Sequence, residues 1–316
     1  KEMSYFMSLN PLSLFRAMPG SIAQGMIWGV MALGVYITFR LLDFADLTVD
    51  GSIATGAAVS VMLIRAGVSP IATLPIAFLA GALAGMVTGL LNTALGIPGI
   101  LASILTQISL YSINLNIMGK ANQPVSVDNY PLVVSLRYVT DGSVSRLLFF
   151  LGMIVFLLAL IAVMYWYDGT EQGHAIRATG CNGNMARAQG INTNFIKVLA
   201  LMISNGLVGL CGALYGQFQG ASDVNMGRGA IVIGLAAVII GEVLFGKFAS
   251  KRKLAFAFTL ASVILGAVIY YMVYQFVLWL KMPSEDMKLF SAIVVAIFLA
   301  IPYLKEKRTL RKGASK

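Results

Sequence analysis

The sequence predicts an all-α, polytopic membrane protein with about nine transmembrane helices, one of them short or broken. Three observations predict it. Of 316 residues, 58% are hydrophobic and only 11% charged, against about 25% charged in an average soluble domain. Apolar runs close to the ~20 residues that a bilayer demands recur along the whole chain. Inside those runs small residues recur at one-turn spacing, which lets helix backbones approach in lipid, where no hydrophobic drive pulls helices together.

The chain opens on KEMSYFMSLNPLSLFRAMPG, which lacks the basic head, apolar core and small-residue cleavage pattern of a signal peptide. Residues 1–18, with Tyr5, Phe6, Leu9, Leu12, Leu14 and Phe15, are expected to lie along the membrane interface. Candidate spans follow near 20–39, 51–66, 70–91, 99–118, 147–166, 195–217, 229–246, 254–280 and 287–304. The second is too short for a comfortable crossing. Small-residue rows run through Ser21, Gly25 and Gly29, through Gly81, Gly85 and Gly89, and through Gly209, Gly212 and Gly216. They are read as packing surfaces.

Just before the short span stand Asp43, Asp46 and Asp50, next to Arg40. Their order, ending on Asp50-Gly51-Ser52, has the grammar of one helix ending and another starting, with Asp50 as the N-cap. Capping and pairing with Arg40 is one reading. The other is that the break borders a transport path, because non-helical backbone at membrane depth is tolerated where it meets protein or water. The stretch 99–118 crowds Thr106, Gln107, Ser109, Ser112, Asn114 and Asn116 into an apolar helix. Thr106, Ser109, Ser112 and Asn116, spaced by three, three and four, are expected to share one face. That face either bonds a neighbouring helix or lines a substrate path. Glu242, late in the seventh candidate span, is read as reaching the interface or pairing with Lys247.

The longest polar interruption with helical grammar is 168–194. Asp168, with Glu171 three residues on, is expected to cap a short helix carrying Ala175, Ile176, Arg177 and Ala178. Gly180 stands where a C-terminal glycine belongs and is expected to need a positive φ. Asn182 caps a second short helix with Met185, Ala186, Arg187 and Ala188, ending at Gly190, and Asn194 caps the long apolar helix beyond. A solvated loop would share this composition, but a plain connector needs only a few residues.

G-x-A-x-R-A-x-G followed by A-x-x-x-G-I, carried here by Gly173, Ala175, Arg177, Ala178, Gly180, Ala186, Gly190 and Ile191, resembles the cytoplasmic coupling segment of permeases in bacterial ABC importers of the branched-chain amino acid and ribose type. The run from Leu42 to Ser52, LDFADLTVDGS, is similar to that family's acidic break and most resembles a branch associated with amino-acid uptake, including tryptophan and tyrosine. The likeness spans roughly residues 20 to 304. It implies a single permease domain, 1–316, in the bacterial plasma (inner) membrane, moving a small solute inward by alternating access. It implies partners too: two ABC ATPase subunits holding ATP and Mg and docking on 168–194, a substrate-binding lipoprotein outside, and a second permease copy, most economically in a homodimer. The solute is expected to be an amino acid.

The chain has no G-x-x-x-x-G-K-[ST] run, so no nucleotide site or catalytic residue is expected in it. The net charge of +10 collects in loops and in the tail 305–316, which reads as orientation and lipid-headgroup contact, without nucleic acid, and as a cytoplasmic C-terminus. Cys181 and Cys211 would be far apart on helices, so no disulfide is expected, and one histidine without a Cys/His cluster gives no metal site. The rival reading is a secondary transporter driven by an ion gradient through Asp43, Asp46 or Glu242.

Overall fold

The computed structural model describes residues 11–140, 142–249 and 254–280, together with Leu289, Ala292, Ile293, Ala296, Ile297 and Ala300. Residues 1–10, most of the ninth expected span and the basic tail 305–316 lie outside the described residues.

Helices form over the first eight expected spans. In chain order they are α1 (Pro11–Tyr36, continued by a π turn Ile37–Leu41), α2 (Thr48–Arg65), α3 (Pro70–Thr93) and α4 (Gly99–Met118). After strand β1 (Asn122–Pro124) come a single turn α5 (Leu136–Thr140) and α6 (Ser143–Asp168). The short helices α7 (Glu171–Cys181) and α8 (Gly183–Ala188) precede α9 (Thr193–Gln219), strand β2 (Ala221–Asp223), α10 (Ala230–Ala249) and α11 (Ala255–Trp279). Six helices among the described residues are long and apolar enough to cross a membrane. The apolar stretch of α10, Ala230–Gly246, is shorter, and α2 has 18 residues. These eight helices stand where the first eight of the nine expected spans were read, and the ninth lies mostly outside the described residues. Residues 11–18 continue α1 instead of forming a separate interfacial segment, because Pro19 lies within an unbroken helix.

Helix α9 is the centre, with α1 beside it. Their apolar windows are 72% and 83% buried, against 39% for α3 and 28% each for α4 and α6, so those three face outward. The small-residue rows explain how α9 gathers its neighbours. A Cβ on Gly81 or Gly85 of α3 would come within 2.1 Å of the Asn205 or Leu201 carbonyl oxygen, and one on Gly56 of α2 within 1.9 Å of the Gly209 carbonyl oxygen. Gly25 and Gly29 set α1 close to α11, where a Cβ would come within 2.6 Å of the Val268 Cα and 3.0 Å of the Ile264 side chain. At these contacts only glycine lets the backbones touch.

The sequence did not announce the two-stranded antiparallel ladder of β1 and β2, with Gln123 opposite Ser222, which ties the long 119–142 loop to the end of α9. Beside the start of α1 a cleft of about 920 Å³ is lined by Arg16, Ser21, Gln24, Arg146, Gln219 and Gln275 among others. It lies at the opposite end of α1 from the α7–α8 pair.

Candidate coupling and translocation site

The break is real and tightly built. The π turn closes through Leu42 N to Ile37 O (2.9 Å) and Phe44 N to Thr38 O (2.9 Å). The chain then reverses through Asp43, which has a positive φ of 54°. Asp43 is exposed. Asp46 is 2% exposed. Its Oδ1 accepts from Thr48 N at 2.9 Å and its Oδ2 from Asn205 Nδ2 at 2.7 Å. Asn205 Oδ1 in turn accepts from the Ser52 hydroxyl at 2.7 Å. Beside this run, the Thr48 and Thr88 hydroxyls are 2.7 Å apart, and Thr88 donates to Thr106 at 2.9 Å. One buried polar network thus joins the break to α3, α4 and α9.

Two expectations for these acids change. Asp50 lies inside the first turn of α2 and does not cap it; the carboxylate of Asp46 meets the Thr48 amide there. Asp50 instead accepts from Gly229 N (2.9 Å) and Ile231 N (3.0 Å), at the start of α10, whose free amide groups it satisfies. Gly227 permits this approach, since a Cβ there would meet the Asp50 carbonyl oxygen at 2.0 Å. Arg40 pairs with none of the three acids: its Nε and Nη2 each donate to the Glu242 carboxylate at 2.7 Å. Glu242 therefore has Arg40 as a partner, and the side chain of Lys247 lies outside what the structure describes. The π turn brings Arg40 to α10, a placement no local spacing reveals.

The 168–194 segment does form two short helices, with shifted caps. Thr170 caps α7, accepting from Gly173 N, because Asp168 still belongs to the last turn of α6. Asn182 caps α8 as expected, accepting from Asn184 N and Met185 N. Asn192, not Asn194, caps α9, accepting from Phe195 N at 3.2 Å. Gly190 has a positive φ of 85°. Gly180 does not. It is helical, and a Cβ there would meet the Leu41 carbonyl oxygen at 2.0 Å. Its requirement is space: α7 lies directly on the last turn of the π segment. Gly173 is equally close to the backbone of Asp168.

Arg177 points into the bundle. It pairs with Asp168, and its guanidinium lies over the Phe256 ring, 4.6 Å from the centroid, so one side chain joins α7 to α6 and α11. Asp168 Oδ1, Arg177 Nε and Thr179 Oγ1 are buried without a hydrogen-bond partner, which leaves unused polar valence at this joint. Ile176 and Ala186 are buried at 2% and 3% exposure and seat the two helices. Ala175, Ala178 and Ile191 line an open cleft of about 770 Å³ with Glu171, Gln172 and His174. Arg187 is exposed and its Nε donates to Thr193 at 2.7 Å. Met185 and Phe195 are 62% and 55% exposed, giving the outer surface two apolar side chains beside a cation.

The four polar residues of α4 do not share one environment. Thr106 is buried in the network above, while Ser109, Ser112 and Asn116 face outward with Ile108. Two steps of three residues each lag a helical turn by about 60°, so the stripe winds away from Thr106. Leu110 is buried against Gly51. Asn114 belongs to the inner face, fully buried, with neither side-chain atom bonded.

Among the described residues no group of three or more metal-ligating side chains occurs, and Cys181 and Cys211 are free thiols.

Residues 18–302 match the family described as the branched-chain amino acid transport system permease component. A tyrosine transport system permease protein of Clostridioides difficile is 40% identical over 279 residues, 88% of this chain and 89% of that protein. An uncharacterized Rickettsia prowazekii protein is 31% identical, with 89% of this chain and 95% of that protein covered. The autoinducer 2 import system permease protein LsrC of Yersinia pseudotuberculosis is 28% identical over 81% of this chain and 68% of that protein. No solved structure matches the chain at a significant level.

Proposed function

Because the chain belongs to the permease family of branched-chain amino acid transport systems, we propose that it is the membrane-spanning subunit of an ATP-driven importer for an aromatic amino acid. The substrate class is supported by the tyrosine transport permease, 40% identical over nearly the whole chain. ATP and Mg are held by two separate ATPase subunits, which dock on α7 and α8. A substrate-binding lipoprotein delivers the solute on the far side, where the polar cleft of Arg16, Gln24 and Gln219 opens, and the C-terminus lies on the ATPase side.

The observation that carries the coupling role is Gly180 against the Leu41 carbonyl, backed by Arg177 on Asp168 and Phe256. A push on α7 reaches α1, α6 and α11 through these contacts without passing through a flexible loop. The exposed cleft of Ala175, Ala178 and Ile191, flanked by Met185 and Arg187, is the surface we assign to the ATPase.

Ser109, Ser112 and Asn116 on the outward face of α4 support a second permease copy. Polar side chains at membrane depth call for protein or water beside them, and among the described residues the only hydrogen-bond partner on this face is the Leu105 carbonyl of the same helix, which accepts from Ser109. The solute route is placed between two copies, along this face. Of the three carboxylates of the ion-gradient alternative, Asp46 accepts hydrogen bonds and Glu242 is paired, while Asp43 stands exposed at the turn.

The test is reconstitution in liposomes with and without the ATPase and the lipoprotein. Uptake should require all components and ATP, and cysteines at 109, 112 and 116 should react with a small water-soluble thiol reagent during turnover. Uptake by this chain alone under an ion gradient would sink the proposal.

A further inference from the structure

Beneath α7 the bundle encloses a cleft of about 320 Å³ whose walls come from six elements. Ile37 and Leu41 of the π turn, Phe78 of α3, Leu207 of α9, Ile176 of α7 and Phe256 of α11 face it. The outer wall is α6, which leans on α1, α5, α7 and α11 but makes no substantial contact with α3 or α9. The gap so left is rimmed by Val163 and Trp166, 59% and 70% exposed, so the cleft opens sideways at the surface that α6 presents to lipid.

We propose that an acyl chain of a phospholipid, from the leaflet on the α7–α8 side, occupies this cleft. The walls choose the occupant. Asp168 is the one charged residue on them, and its carboxylate is paired with Arg177. The Tyr167 hydroxyl donates to Gln172. A zwitterionic amino acid would meet a single unpartnered acceptor, Asp168 Oδ1, and no donor for its own carboxylate, and would lose the hydration of both charges, so the transported solute does not belong here. Water needs two to four polar partners and does not find them either, and apolar cavities of this kind stay dry and accept apolar molecules. A water claims ~30 Å³ of its liquid; with a methylene group of about that size, the volume holds a run of roughly ten, the scale of half a lipid tail. The lateral gap beside α6 gives a tail direct entry from the bilayer.

The position gives the occupant a role. A tail here touches the π turn, the underside of the coupling helix at Ile176, and the Phe256 ring that carries Arg177. It fills the space through which α7 would sink toward α9 and props the joint apart. The binding claim rests on the membrane-permease reading but not on ATP coupling.

The experiment uses the intact transporter in membranes containing phosphatidylglycerol with a diazirine near the end of one acyl chain. After irradiation, labelled peptides are located by mass spectrometry. Adducts are expected on the inner wall at Phe78, Ile203 and Leu207 as well as on the outward residues Leu151 and Leu158 of α6. Val163→Trp, which narrows the mouth, should lower inner-wall labelling several-fold and leave the outward labelling unchanged. Labelling confined to the outward residues of α6 would overturn the proposal, whether or not Val163→Trp can be purified. Inner-wall labelling that survives Val163→Trp at full strength would overturn the assigned entrance. Uptake measured on the same membranes is a separate readout, so a chain that binds lipid here but transports without ATP would refute the importer reading alone.

Discussion

The acidic break and the coupling joint lie against each other at Leu41, yet they are built in opposite ways. At the break each Asp46 oxygen has a donor, Asn205 bonds on both sides, and α2, α3 and α9 meet backbone to backbone through Gly56, Gly81 and Gly85. At the joint, Asp168, Arg177 and Thr179 each keep a buried polar atom without a partner, and an apolar cleft lies alongside. A saturated network has one favourable arrangement, and leaving it strands buried groups. A joint with unused donors and acceptors and space beside it has more than one arrangement open to it. On the importer reading proposed above, the difference marks where the molecule can rearrange: α7 against the bundle, with the break and α9 moving as one piece.

The largest expected effect attacks the solid side. Asn205→Leu keeps the volume but removes the donor to Asp46 Oδ2 and the acceptor for Ser52. A charged group left buried without its partner costs about 3 kcal/mol or more. The purified variant should lose most of its folded fraction at temperatures the wild type survives, and membrane abundance should fall. Asp46→Ala combined with Asn205→Ala should cost less than the two single changes added together, since it strands no charge. Wild-type thermal stability in Asn205→Leu would show that the break is not the rigid element.

Next in size is the joint itself. Gly180→Val places a branched side chain against the Leu41 carbonyl, which must force α7 off its seat. Since α7 is a surface helix, the bundle behind it should still assemble. Uptake is expected to fall at least tenfold at near-normal membrane abundance, and ATPase activity should lose its dependence on the loaded binding protein. Arg177→Gln, which keeps a hydrogen bond to Asp168 but gives up the ion pair and the cation–π contact, should give a milder loss of the same kind. A thermal profile as damaged as that of Asn205→Leu would erase the contrast between the two regions.

How far these features were legible depends on the distance over which each is decided. Helix positions follow from local hydropathy, and α4 spans Gly99–Met118 just as its apolar run does. The glycine rows were readable as contact surfaces because small-residue spacing is a property of one helix, and Asn182 was readable because a cap is decided within three residues. Gly180 was visible as a required glycine, but positive φ and close approach demand the same residue, and only the neighbour, 139 positions away in sequence, tells them apart. Arg177, Arg40 and Asp50 were visible as charges; the distant partners Phe256 and Glu242, on other helices, and Gly229, just before α10, left no trace in local spacing. Thr106 and Ser109 look alike along the chain and differ only in which side of α4 the bundle covers.

The smallest effects are expected from asparagine at Asp50 and Asp43, and they separate a structural carboxylate from a working one. Its two oxygens accept from Gly229 N and Ile231 N, at the positive end of α10. Asn at this position keeps one acceptor oxygen and gives up the negative charge at a helix N-terminus, worth ~0.3–1 kcal/mol when exposed and up to ~2 when partly buried. Asp50→Asn should therefore lower thermal stability slightly and leave most of the uptake. Asp50→Leu removes both acceptors, leaves the part-buried Ile231 amide without a partner and puts an apolar side chain against the start of α10, so uptake and abundance should fall together. Asp43→Asn, at an exposed turn whose positive φ asparagine tolerates well, should be closer still to wild type. A proton-coupled carrier predicts a different pattern: one of these Asn variants remains assembled but inactive, and wild-type uptake collapses with the proton gradient at constant ATP. Measuring uptake, abundance and gradient dependence across the three variants decides between a break that holds helices in place and one that carries protons.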